Sequence, residues 1–196
     1  LPLRLPYDPG HALRGEGPPY LLEVTYALAV EMLLQGGIEK NTKKARKKLE
    51  TAIESGLAAE KFEQIIEAQG GNPNVVEDPS GLPQAQAVEV FAAARTGGVQ
   101  RVEPRRIGRA IIALGGGRRT VDDVIDPTVG FVITVKPGDK VLEGEPIASV
   151  FAKDADGIRT GFDALAQAIV IGDKLTQKPL RLVSHRVTRS GVEQLS

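Results

Sequence analysis

The stretch Phe131-Val132-Ile133-Thr134-Val135-Lys136-Pro137-Gly138-Asp139-Lys140-Val141-Leu142-Glu143-Gly144-Glu145-Pro146-Ile147-Ala148-Ser149-Val150-Phe151 decides the fold class. Residues 131–135 are aromatic and β-branched, the composition that packs well on a pleated surface. Lys136-Pro137-Gly138-Asp139 closes the run with a strong turn signal. Lys140-Val141-Leu142 and Pro146 to Phe151 are then expected to continue the same sheet. Upstream, Val88, Val90 and Ala92 alternate with Glu89 and Phe91, and Val99 and Val102 follow a Gly97-Gly98 turn. Between these strands Ile107, Ile111 and Leu114 recur at i, i+4, i+7, so Pro104 to Leu114 reads as a short helix ended by Gly115-Gly116-Gly117. A last helix is expected from about Asp156 to Ile171, with Phe162, Leu165, Ala166 and Ile169 at helical spacing. A terminal strand, Leu180 to Val187, closes the chain.

Before residue 72 the period is helical. Residues 1–19 hold five prolines and several turn signals, and Pro19 suits the first turn of a helix. Leu21 to Leu34 is apolar almost all round, the pattern of a helix buried on most sides. Gly36-Gly37 stops it. A second helix is capped by Asn41 or Thr42 and carries one apolar stripe, Ala45, Leu49, Ala52 and Ile53. Lys43, Lys44, Arg46, Lys47 and Lys48 fill the rest. A third places Ala58, Phe62, Ile65 and Ile66 on one face and ends at Gly70-Gly71. Asn72 to Pro83 holds three prolines and reads as a boundary. The expected division is a lead-in with three helices over residues 1–72, a linker over 73–87 and an α+β domain over 88–196.

The 196 residues carry 25 basic and 25 acidic side chains, so the net charge is zero. That excludes a basic nucleic-acid footprint and an acidic tail. There is no cysteine, which removes disulfides, thiolate metal sites and thiol nucleophiles. No tryptophan and few aromatics leave little for base stacking. No apolar run is long enough to span a membrane, so the expectation is a cytoplasmic protein without membrane or nucleic-acid partners. The chain starts at Leu1 and its single methionine is Met32. It is therefore expected to be less than a whole translation product.

Four segments carry candidate chemistry. Gly115-Gly116-Gly117-Arg118-Arg119 offers backbone N–H groups and forked donors to a phosphate. Its glycines follow a helix, however, whereas phosphate loops usually precede one, so a helix end opening a surface loop is the preferred reading. The basic run Thr42 to Lys48 suits an acidic partner, but better suits a solvated helix face. Asp122 and Asp123, with Asp126 nearby, have the pairing that acid–base or metal work uses, yet they fall in a loop without a histidine. His11 and His185 have no nucleophile beside them and are assigned to structure. No metal or cofactor is expected.

The spacing around Asp139, Glu143 and Glu145 resembles the hairpin of biotinyl and lipoyl carrier domains. There is no Met-Lys-Met, and Lys153-Asp154 reverses the lipoyl order, so carrier-type topology is expected and carrier activity is not. Several segments together resemble the C-terminal half of thymidine and pyrimidine-nucleoside phosphorylases. They are Thr25 to Leu34, Ala58 to Phe62, Glu67 to Pro73, Leu82 to Ala85, Ile111 to Arg119, Ile125-Asp126-Pro127-Thr128-Val129-Gly130-Phe131 and Gly138 to Val141. The likeness runs from about residue 15 to 185.

The resemblance implies a short helical segment from the family's α/β domain, then a carrier-like barrel-sandwich (α/β hammerhead) domain. It implies phosphorolysis of a pyrimidine nucleoside, with phosphate as co-substrate, and a homodimeric parent. The family's phosphate stretch, Lys-His-Ser-Thr-Gly-Gly-Val-Gly-Asp-Lys, and its base-binding Arg, Ser and Lys do not occur in this sequence. Neither does the helix the family places between its Ala-Leu-Glu-Val and Gly-Glu-Gly-Pro; here Leu13 runs through Arg14 into Gly15-Glu16-Gly17-Pro18. No catalytic residue is therefore carried over, and a truncated, rearranged or assembled chain, inactive alone, is expected. Gly115, Gly116, Gly117, Arg118 and Arg119 are implied as a mobile closing loop. The competing expectations are a stand-alone structural or interaction domain and, more distantly, a carrier.

Overall fold

A computed structural model describes residues 12–173 and 181–195. Helices and small antiparallel sheets make an α+β chain that divides into two compact units. One is built from residues of 1–82 and 181–196, the other from residues of 83–180. His11 and Leu180, at which a structural histidine and a strand start were expected, lie outside the described residues.

The helical unit holds α1 (Pro19–Gln35), α2 (Thr42–Glu54) and α3 (Leu57–Ala68), followed by short 3-10 turns at Pro73–Val76 and Pro79–Gly81. Pro19 opens α1, where its missing N–H costs nothing. Asn41 is the cap of α2: its side chain accepts from the Lys44 N–H at 3.0 Å. α2 packs on α1 and α3 packs on α2. The stripe of α2 faces inward as its spacing predicts, with Ala45 fully buried.

Three expectations fail here. α1 is not buried on most sides: Tyr26 and Val30 are covered, while Leu28 and Met32 are 63% and 72% exposed. A single layer of helices covers one face of α1 and leaves the other. On α3, Ala59 turns inward and Ile65 outward, a shift of the buried stripe by part of a turn. Arg46 does not join the solvated lysines. Its guanidinium reaches Glu23 Oε1 at 2.6 Å and Glu50 Oε1 at 2.8 Å, and lies 4.2 Å from the Tyr26 ring centroid. The hydrogen bond from Arg46 draws the Glu23 carboxyl below the usual carboxylate range.

The terminal strand is a hairpin, β7 (His185–Thr188) with β8 (Gly191–Gln194), within the helical unit. Arg186 pairs with Glu31 of α1: Nη2 donates to Oε2 at 3.0 Å, and Nε sits 2.8 Å from Oε1 as an ionic contact. His185 is an exposed strand residue whose ring nitrogen Nδ1 lies 3.0 Å from the Ser184 hydroxyl.

The sheet unit holds β1 (Ala87–Ala92), β2 (Gly97–Val102), α4 (Pro104–Leu114), β3 (Gly130–Ile133), β4 (Lys140–Val141), β5 (Pro146–Ala152), α5 (Ala155–Ala168) and β6 (Ile169–Gly172). Its strands do not form one continuous sheet. β5 lies between β1 and β3, while β4 leaves for a second sheet in the order β4-β2-β6. Neither sheet closes. The chain passes between them at the Lys136–Asp139 turn, where the Gly138 N–H donates to Val99 O at 2.9 Å.

A further correction concerns residues 169–171, read as the end of a helix. α5 ends at Ala168 and β6 follows without a loop, pairing antiparallel with β2. The core gathers here. Ile147, Val150, Val99 and Leu165 are its largest fully buried side chains. Phe91 and Phe162 meet edge to face at 5.3 Å between centroids. Helix α5 approaches β5 at Gly161, where a Cβ would lie 2.4 Å from Val150 Cγ1.

Candidate functional site

The glycine–arginine segment follows α4 as its C-terminal cap. Gly115 has φ +97°, the left-handed conformation in which glycine avoids a Cβ clash. Its N–H donates to Ile112 O at 3.1 Å, and the Gly116 N–H donates to Ile111 O at 2.9 Å. These bonds satisfy carbonyls that a helix end would leave bare. At Gly116 a Cβ would stand 2.9 Å from Ile111 Cγ2 and 3.1 Å from Val129 Cγ2. At least two of the three glycines are therefore spent on ending the helix and packing the turn, which favours the helix-end reading over a phosphate cradle. Arg118 and Arg119 stand exposed beyond it.

The carboxylates expected to be candidates for acid–base work shape the loop instead. Asp123 Oδ2 accepts from the N–H groups of Arg119 at 2.7 Å and Thr120 at 3.1 Å, and its Oδ1 accepts from the Thr120 hydroxyl at 2.6 Å. The Thr120 hydroxyl, then these backbone bonds, hold the Asp123 carboxyl below the usual aspartate range. Asp126 Oδ1 accepts from the Thr128 N–H at 2.9 Å and its hydroxyl at 2.6 Å, with the same consequence. The Asp126 N–H donates to Gly115 O at 2.9 Å, tying the loop's end to its start. Asp122 is exposed. Among the described residues, no group of three His, Cys, Asp or Glu is placed to hold a metal ion.

Sequence reasoning missed Thr120 and Thr128. Their signals were present as Thr-x-x-Asp and Asp-x-Thr, spacings that let a short side chain bond the neighbouring backbone. Val121 and Val124 project from the loop, 87% and 92% exposed.

Two other candidates are less developed. Lys43, Lys44, Lys47 and Lys48 line the outer side of α2, with Lys48 3.4 Å from Glu39. A shallow cavity of about 340 Å³ lies among Thr96, Gly97, Gly98, Lys140, Val141, Leu142 and Asp173. Lys153 stands next to Asp154, the cap of α5, whose side chain accepts from the Gly157 N–H at 2.9 Å. It thus sits at a helix start, away from a hairpin tip of the kind that carriers modify.

A family model, the pyrimidine nucleoside phosphorylase C-terminal domain, matches residues 98–172, which include the whole glycine–arginine loop. The chain is 38% identical over 157 residues to a thymidine phosphorylase of Burkholderia orbicola (strain MC0-3). It is 37% identical over the same length to a thymidine phosphorylase of Burkholderia cenocepacia (strain HI2424). Each match covers 80% of this chain and 36% of the relative. The chain thus spans about a third of the length of the curated relatives it matches.

Proposed function

We propose, from the premise that this chain carries the C-terminal portion of the thymidine and pyrimidine-nucleoside phosphorylase family, that it serves as the closing part of a pyrimidine-nucleoside phosphorylase. In the parent reaction phosphate attacks the sugar anomeric carbon, the bond to the base breaks, and the products are free base and (deoxy)ribose 1-phosphate. The observation that carries this reading is the position of the loop at residues 115–126. It lies inside the matched stretch, presents two arginines and two bare valines, and is built as one bonded unit behind a glycine turn. A loop tied to itself can move as a body about Gly115–Gly117, bring cations toward a dianionic substrate and exclude water from it.

In this reading the loop is a gate and supplies no catalytic residue. The 196 residues alone do not perform phosphorolysis, because neither a phosphate-binding stretch nor a base-binding Arg, Ser and Lys set of the family type occurs in them. We read the sheet unit as the family's barrel-sandwich arrangement; the central position of β5 and the Lys136–Asp139 turn linking two sheets support this reading. The setting is cytoplasmic and the complete phosphorylase is a homodimer. No helix among the described residues is long and apolar enough to cross a membrane.

A stand-alone structural domain is the second reading. It is favoured by the internal satisfaction of Asp123 and Asp126, which leaves these loop carboxylates engaged with their own backbone. Two assays test these readings, the first the expected inactivity and the second the gate. The purified chain is mixed with thymidine or uridine and phosphate, and free base is measured by chromatography. No turnover is expected from a chain folded by circular dichroism; phosphate-dependent turnover overturns the inactive reading. Limited trypsin is expected to cut first after Arg118 or Arg119. A first cut within Thr42–Lys48, with the arginine pair intact, removes the gate.

A further inference from the structure

We propose that the N-terminal half of α2 binds a small multivalent anion, a chain of two or three linked phosphate groups, through Lys43, Lys44, Lys47 and Lys48. All four side chains are exposed. Among the described residues Lys43, Lys44 and Lys47 have no carboxylate partner, and Lys48 meets Glu39 at 3.4 Å. The remaining cation of the run, Arg46, is drawn away to Glu23 and Glu50. Lys43 with Lys47, and Lys44 with Lys48, stand at i, i+4, so like charges are neighbours on the helix surface, an arrangement that costs helix stability. The first turn of α2 holds no acidic residue, and cations there oppose the helix dipole. An anion seated among the ammonium groups offsets both costs at once.

The shape of the site and its donors select the ligand. A depression of about 370 Å³ is lined by Glu39, Lys44, Lys47, Lys48 and Thr51. Glu39 is already engaged, accepting from the Lys40 N–H at 2.9 Å and pairing with Lys48. The Thr51 hydroxyl donates to Lys47 O at 2.9 Å, so the side-chain donors left for a ligand are ammonium groups. No aromatic or aliphatic residue lines the depression, so what it recognises is charge and not a base or a ring. Lysines act as point charges on phosphate oxygens, without the fixed fork of arginine. From Lys43 to Lys48 the helix rises only about 7.5 Å, the scale of two or three phosphates. Beyond Lys48 the helix carries Glu50 and Glu54, so the basic surface does not continue along it into the track that a long polyanion follows. The proposal is independent of the gate at residues 115–126.

Calorimetric titration of the full chain with inorganic tripolyphosphate tests it. One ion per chain is expected to bind, with a Kd of about 0.1–1 mM at low salt, weakening at least about fivefold between roughly 20 and 150 mM salt. Lys44→Gln combined with Lys47→Gln should weaken binding at least about tenfold. Lys153→Gln, at an exposed lysine of the sheet unit, should leave it unchanged. Because the replaced side chains are exposed and repel their neighbours, the double variant should unfold no earlier than the wild-type chain without anion. Tripolyphosphate should then raise the thermal midpoint of the wild type and not that of the variant. Absence of binding at about 10 mM tripolyphosphate overturns the proposal. So does equal binding of sulfate at matched ionic strength, which is screening and not a site. Binding that survives the double lysine variant and falls with Arg118→Gln and Arg119→Gln moves the anion to the loop and overturns it too. Tighter binding of a polyglutamate peptide than of tripolyphosphate overturns it in favour of an acidic polypeptide.

Discussion

In the sheet unit Leu165, Val150, Ile147 and Val99 are shut off from water, whereas the helical unit's buried set is Tyr26, Val30, Ala45, Ala59 and Val76. The first list is branched side chains drawn from strands and a helix that enclose one another. In the second set Ala45 alone is closed off to the same degree, and large apolar residues of the same unit, Leu28, Met32, Ile38 and Leu57, stand in solvent, as Val121, Val124 and Leu142 do in the sheet unit. Both units are rich in apolar residues. What differs is that β5 is flanked on both edges by strands and covered by α5, so its side chains meet partners on several sides. Helices packed in sequence make one layer, and a layer has a second face. Hydrophobic composition therefore measures how much surface needs covering, and topology determines how much of it is covered.

The largest test of this contrast is Leu165→Ala. Loss of a fully buried leucine should destabilise the sheet unit by about 2–5 kcal/mol, read as a lower denaturation midpoint by circular dichroism. A loss below about 1 kcal/mol would mean that the core is looser than its burial indicates. In the helical unit one tie between α1 and α2 is polar. Arg46→Ala removes the pairs with Glu23 and Glu50 and the contact with Tyr26, and should cost about 1 kcal/mol, because the group is partly solvated. A cost equal to that of Leu165→Ala would erase the distinction between the two units.

The smallest effect is local and concerns the loop. Asp123 and Asp126 have folded pKa values below the ordinary aspartate value. The hydrogen bonds they accept are stronger in the ionised form, so their support of the loop is fully present above the ordinary carboxylate range. It is lost as pH falls through the lowered folded pKa. Amide chemical shifts of Arg119, Thr120 and Thr128 should stay constant from about pH 7 down to about pH 4 and then change together. A midpoint at or above the ordinary aspartate value would show that the carboxylates do not hold the loop.

Much of this architecture was legible from local chemistry. Asn41 and Pro19 mark helix starts, Gly115 marks a helix end, and Lys136-Pro137-Gly138-Asp139 marks a turn, because each acts through its own backbone or that of a near neighbour. The candidate loop was legible as a loop, and its family likeness came from Ile111 to Arg119 and Ile125 to Phe131. The roles of Thr120 and Thr128 were overlooked, although their spacing to Asp123 and Asp126 was in view. Ile169–Gly172 was not legible as a strand. Its apolar run continues that of α5 with no glycine or proline between, and only pairing with β2 distinguishes the two.

The sequence by itself determined where the chain turns, caps and changes period, and which family it resembles, since these depend on contacts a few residues apart. Only the tertiary structure decided that β4 leaves β3 and β5 for the second sheet, that Arg46 joins α1 to α2, and that one side of α1 stays bare. Those outcomes depend on which distant surfaces meet. Strand pairing and helix packing are satisfied equally well, residue by residue, by several partners, and the choice among them is made by the whole core.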